Sequence, residues 1–175
     1  MYRLPCIVMI GLLCWGSPAG AAKQKTDREM SAGALWFPIG ETIEYKVMWG
    51  RIPVGRSVVT TEWIEADGLR LLAIRLRTRS NKVLSAFYPV DDFIESIIDP
   101  ETFLPVRFTK KLREGTYRCH EVTTFNHETG MATFENKKRN FARKYEIESD
   151  TRDLISFMYR MRTMDIPVGT TLDFR

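Results

Sequence analysis

Hydrophobic and polar positions alternate with period two through most of the chain. In "FPIGETIEYKVMWGRIPVG", Ile43, Tyr45, Val47 and Trp49 fall on one side of a strand, and Thr42, Glu44, Lys46 and Met48 on the other. That is the signature of a half-buried strand. Gly50 and Pro53 end it, so "WGRIPVG" reads as a hairpin connection with Ile52 and Val54 at an exposed tip. A second strand, "GRSVVTTEWIE", starts at Gly55 and is rich in β-branched residues. Asp67-Gly68 follows, a dipeptide that accepts positive φ at both central positions of a tight hairpin. The third strand, "LRLLAIRLRTR", sets Leu72, Ile74 and Leu76 against a stripe of Arg75, Arg77 and Arg79.

The alternation then loosens. Ser80 to Tyr88 fits a loop or a short helical turn, and Val90 to Asp99 a strand that stops at Asp99-Pro100. In "FLPVRFTKKLREG", Val106, Phe108 and Leu112 oppose Arg107, Thr109, Lys111 and Arg113 before a turn at Glu114-Gly115. "TYRCHEVTTFN" and "MATFEN" flank a turn at "HETG". "KKRNFARK" reads as a basic bend, with Lys137, Lys138, Arg139, Arg143 and Lys144, and "YEIE" as a short strand. Helical spacing appears only late. Leu154, Phe157, Met158 and Met161 recur at helical intervals, widened by Ile155, which predicts an amphipathic helix from about Thr151 to Met164. Asp150 or Thr151 would cap it, and Asp153 would sit near its positive end. "IPVGTTLDF" would open a further strand. The fold class expected is therefore mainly β: a curved antiparallel sheet with one amphipathic helix packed on it.

The N-terminus departs from this pattern. Arg3 precedes an apolar run from Leu4 to Trp15, and "GSPAGAA" supplies small residues with an A-x-A form at Ala19 to Ala21. Residues 1–21 read as a secretory signal peptide cleaved after Ala21, too short for a membrane span. Residues 22–35 read as a flexible polar leader, and 36–175 as one β-rich domain. The expected location is the periplasm, with no transmembrane segment after cleavage. Cysteine usage fits export: Cys119 alone remains in the mature chain, so no internal disulfide can form. The net charge of +4 is mild, and nucleic acid is not an expected partner.

Catalytic chemistry finds little support. His120 and His127 with one cysteine make no metal-ligand spacing, and neither a metal nor another cofactor is expected. Cys119 and His120 are strand neighbours whose side chains diverge, so they make no nucleophile and base pair. Asp91, Glu95 and Asp99 share a strand face, which fits solvated or turn carboxylates better than a glycosidase pair. No phosphate-binding loop occurs.

"PIGETIEYKVMWGRIPVG", "VDDFIESIIDPETFLPVRF" and "DLISFMYRMR" together resemble a family of bacterial exported domains, the domain of unknown function thirty-one-zero-eight. The resemblance runs from Phe37 to Phe174. It implies a periplasmic, antiparallel β-rich domain with no assigned reaction. The family usually continues for several more strands, which implies that this chain is a piece of a longer domain. A curved sheet with a helix on its concave side is also similar to the lipoprotein- and lipid-carrier folds of the bacterial envelope.

The function expected is non-enzymatic binding of an apolar or amphipathic envelope component. Tyr45, Trp49, Leu72, Ile74, Phe108, Phe157, Met158 and Met161 would meet between sheet and helix, as a core or as the lining of an acyl-chain cleft. Arg75, Arg77 and Arg79 would contact an anion, a lipid phosphate or an acidic partner, or form a solvated face balanced by neighbouring acids. The alternative is a structural or assembly factor that pairs with an envelope protein through a sheet edge. An envelope hydrolase is the weaker alternative.

Overall fold

A computed structural model describes residues 35–171. The expected signal peptide, nearly all of the leader and residues 172–175 lie outside the described residues. The strands are β1 (Thr42–Trp49), β2 (Ile52–Ala66), β3 (Leu69–Ser80), β4 (Asp91–Ile98), β5 (Pro105–Glu114), β6 (Tyr117–Asn126), β7 (Met131–Asn136) and β8 (Phe141–Glu146). They form one antiparallel sheet in which every strand pairs with its sequence neighbours, β1 through β8 in order. The first and last strands do not meet, so the sheet is open. Two helices accompany it, α1 (Lys82–Ser85) and α2 (Leu154–Met161).

Period two sets the two faces. Across the first, Thr61, Ile74, Ser96 and Phe108 stand in register, as do Trp63, Leu72 and Ile98. Leu72, Ile74 and Ile98 are wholly buried, and Phe37, Phe103, Ile155 and Tyr159 close over them. Each such side chain contributes roughly 2 kcal/mol by leaving water. The core thus lies at one end of one face. It is sealed by α2 and by the segment preceding β1.

α2 crosses the strands rather than following them. At its start Asp153 accepts a 2.5 Å hydrogen bond from Ser96 Oγ on β4. At its far end Arg162 grips the carboxylate of Glu41 with two bonds of 2.6 and 2.8 Å. Glu41 extends β1 beside Thr61. A helix of eight residues is about 12 Å long, and three interstrand gaps span about 14 Å, so the helix reaches from β4 to the margin of β1.

Three expectations need correction here. The helix starts at Leu154, capped by Asp153, which accepts from Ser156 N at 2.8 Å; neither Asp150 nor Thr151 is the cap. Its buried residues are Ile155, Ser156 and Tyr159, whereas Leu154 and Met158 are exposed. The polar trio Ser96, Asp153 and Ser156 can be buried only while mutually bonded, and that requirement fixes the rotation of the helix. Finally, residues 165–171 form no strand, while β8 begins at Phe141 and draws Arg143 and Lys144 out of the expected bend.

Candidate functional site

Among the described residues, the second face of the sheet carries no helix. Its rows run Glu44, Val58, Arg77, Phe93, Lys111 and His120, and beside them Thr60, Arg75, Glu95, Thr109, Val122 and Glu135. Two adjoining hollows open on this face. One, of about 340 Å³, is lined by Arg56, Val58, Thr60, Arg75, Arg77, Arg79 and Phe93. The other, of about 400 Å³, is bounded by Phe93, Arg107, Lys111, His120, Val122 and Lys137 among others. Phe93 belongs to both, so they read as one trough, with apolar positions at Val58, Phe93 and Val122 and walls that are mainly basic but include Glu95 and Glu135.

The arginine stripe predicted from the sequence lines this trough, but its charges are largely engaged. Arg75 Nε donates to Glu95 Oε2 at 2.6 Å, and its other end meets Glu62. Arg77 holds Asp91 with two bonds of 3.0 Å, and Arg79 Nε reaches the same carboxylate at 3.2 Å. The Arg77 bonds, followed in size by an opposing burial effect, hold the Asp91 carboxyl below its usual range. Asp91 and Glu95 are therefore partners of arginines. Arg56 and Arg107 form no ion pair with another described residue, and Lys111 lies 6.0 Å from the centroid of the Phe93 ring. These three carry the trough's uncompensated positive charge.

The eight apolar residues do not form one site. Leu72 and Ile74 are core, and Tyr45 and Phe108 pack against it, half-buried. Phe157 and Met161 are half-buried on α2, and Met158 is half exposed. Trp49 is 75% exposed at the β1–β2 hairpin, far from the helix. Beneath α2 lies the buried cluster of Leu72, Ile74, Ile98, Ile155 and Tyr159.

Cys119 is buried on the helix-bearing face, and burial pushes its thiol up. His120 faces the trough; desolvation first, then Lys111, Lys137 and Lys138, hold it below its ordinary range. His127 lies at a turn, its Nε2 2.9 Å from Pro105 O. Among the described residues, no group of three metal-ligating side chains converges. No helix among them is long and apolar enough to cross a membrane.

Arg56, Phe93, Val58 and Val122 are among the trough residues that the sequence did not single out, and Arg107 was placed on a strand face without a role. Arg56 was within reach of counting. A two-residue turn at Asp67-Gly68 pairs Ala66 with Leu69, and the same count sets Arg56 opposite Arg79. Phe93 follows a ten-residue connection, whose register no turn rule supplies.

No curated protein and no solved structure matches this chain. Residues 44–175 match the family described as Protein of unknown function (DUF3108), so the chain belongs to that family.

Proposed function

We propose that this is an exported, periplasmic, non-enzymatic binding domain, and that it holds an anionic amphiphile of the cell envelope on the open face of its sheet. One observation carries the reading: a trough with an apolar floor at Phe93 and unpaired cations at Arg56 and Arg107. An acyl chain would lie along Val58, Phe93 and Val122. Its phosphate or carboxylate would take charge-assisted bonds from Arg56 or Arg107, which give up no internal ion pair to bind it. The buried cluster beneath α2 favours the open face over the sheet–helix side as the binding surface.

The test uses lysophosphatidylglycerol below its micellar concentration, with lysophosphatidylcholine as the zwitterionic control. Calorimetry should detect the anionic probe binding more tightly. The Arg56→Glu/Arg107→Glu chain should bind it about tenfold or more weakly. Equal affinity for both probes, or indifference to the two substitutions, would overturn the reading.

A second reading draws on β8. All six of its side chains are exposed, and its outer edge pairs with no described strand. Such an edge can accept a strand from a partner. If native mass spectrometry of protein from its own host shows a protein adduct rather than an amphiphile, and amides 141–146 gain exchange protection in it, this reading replaces the first. Turnover of an envelope substrate, lost on changing Asp91 or His120, would replace both.

A further inference from the structure

The two ends of the sheet differ sharply in charge. At one end lie the connections β1–β2, β3–β4, β5–β6 and β7–β8. They contain Arg51, Lys82, Lys137, Lys138 and Arg139 and no acidic residue, while Asp91, Asp92 and Glu114 stand at the strand ends that adjoin them. At the other end lie the connections β2–β3, β4–β5 and β6–β7. They contain Asp67, Asp99, Glu101 and Glu128, and no lysine or arginine. The segment leaving β8 adds Glu148 and Asp150 at that end, along with Arg152, which donates to Phe103 O; Ile147 N donates there to Gly130 O.

Several large apolar side chains reach water at the basic end, as Leu69, Leu154 and Val168 do elsewhere. Phe87 is 86% exposed, Val83 73% and Ile52 63%, joining Trp49. Tyr117 and Phe141 are exposed at the neighbouring turns. These tips are held together. Asn81 donates through its backbone N to Val54 O at 2.8 Å and through Nδ2 to Pro53 O at 2.6 Å, which ties the β3–β4 connection to the first hairpin. Gly115 N donates to Pro89 O at 2.8 Å, which ties it to the third. Of the five cations only Lys137 has an ion pair among the described residues, with Glu135.

We propose that this end of the sheet docks on the surface of an anionic phospholipid bilayer. Its apolar tips, Trp49, Ile52, Val83 and Phe87, would enter the interface while the basic turns meet lipid phosphates. Aromatic side chains favour the headgroup level of a bilayer, where a polar edge and an apolar body are both satisfied. A cluster of basic residues beside them is drawn by the negative surface potential. A protein partner of ordinary acidity would not need protruding tips spread over several separate turns, whereas a fluid surface accommodates them. The acidic far end is repelled by the same surface, so the charges orient the molecule as well as attract it. The proposal stands on residues other than the walls of the amphiphile trough, apart from Lys137, and either can fail alone.

The experiment places the full chain on vesicles of phosphatidylcholine, with and without phosphatidylglycerol, whose acyl chains carry bromine. The signal is the emission of Trp49, obtained as the difference between the chain and its Trp49→Phe variant. This reports where the tip sits, so adhesion through the apolar run at residues 4–15 does not imitate it. Quenching is expected on anionic vesicles, reversed by high salt and weak on neutral ones. Lys82→Glu/Lys138→Glu/Arg139→Glu should lower Trp49 partitioning about 100-fold. The same positions exchanged between lysine and arginine should retain it, and Arg56→Glu/Arg107→Glu should leave it intact. Trp49 unquenched on anionic lipid, quenched equally on neutral lipid, or unaffected by the charge reversal overturns the proposal. An unchanged thermal midpoint of the reversed variant shows that its loss of binding is not loss of fold.

Discussion

Asp153 is the side chain whose contacts reach furthest. It is buried, ends the loop after β8, accepts from Ser156 N and joins α2 to Ser96. Burial pushes its carboxyl up, and the bonds from Ser96 and Ser156 only partly oppose this. Asp153→Ala removes a helix cap, about 1 kcal/mol, and leaves Ser96 Oγ unsatisfied, roughly 2 kcal/mol more. Urea unfolding should show a loss of about 3 kcal/mol, with Asp153→Asn much milder because an amide can still accept the capping bond. Near-equal losses would show that charge, not bonding, matters there. The sequence did not disclose this role. Counting apolar residues favours the stripe through Leu154 and Met158, because a count has no term for three polar groups that satisfy one another. Arg162 escaped for a related reason. Its bond to Glu41 holds that carboxyl below its usual range, and its guanidinium stacks 4.8 Å from the Tyr159 ring centroid. Neither contact follows from spacing along one helix.

The strands were far more legible than the helix. Period two placed Leu72, Ile74 and Leu76 opposite the arginines of β3, and Asp67-Gly68 made the turn it implied, with φ of 53° and 76°. Turns of two residues transmit register, and long connections lose it, which is why the first hairpin could be counted and the β3–β4 junction could not. Gly55 shows a constraint that pattern reading misreads. The sequence places it at the start of the second strand, just past a hairpin, yet it lies inside β2, paired with Val47 and Ser80. A Cβ there would stand 2.5 Å from Arg79 O, and 3.2 Å from Ser80 Cα. Backbone, not a flexible side chain, would have to move. Gly55→Ala is therefore expected to cost about 2 kcal/mol and to loosen the β2–β3 pairing, read by faster amide exchange at residues 77–80. Unchanged exchange and stability would show that the hairpin shifts freely. β8, by contrast, protects its open edge with Arg143 and Lys144, charges that discourage unplanned pairing.

Taken together, the carboxyl groups define a stability optimum on the acid side of neutrality. Burial raises Asp92 against opposing bonds with Arg113 N and Glu114, and raises Glu114, which the Asp92 carboxyl raises further. Asp153 is raised by burial as well. Such groups bind protons more tightly folded than unfolded, so stability rises as pH falls through their folded values. Glu41 and Asp91 are lowered by their arginines, and their contribution is lost as pH falls further, through theirs. His120, lowered, opposes the three raised acids. The urea midpoint should climb from neutral pH into the mildly acidic range and then drop below the ordinary carboxylate range, and Asp92→Asn should flatten the climb. A midpoint that only declines on acidification would refute this ordering. The meander itself has a consequence for how the chain comes into being. Every strand pairs with the one made just before it, so the ribbon can zip up from its N-terminal hairpin while later residues are still being delivered. Its seal cannot. Trp36 Nε1 donates to Tyr159 O across 123 positions of sequence, and until α2 arrives the greasy side of a nearly finished ribbon faces water. That interval, late and brief, is when a newborn chain of this kind is most exposed to sticking to its neighbours, and most in need of a holding chaperone.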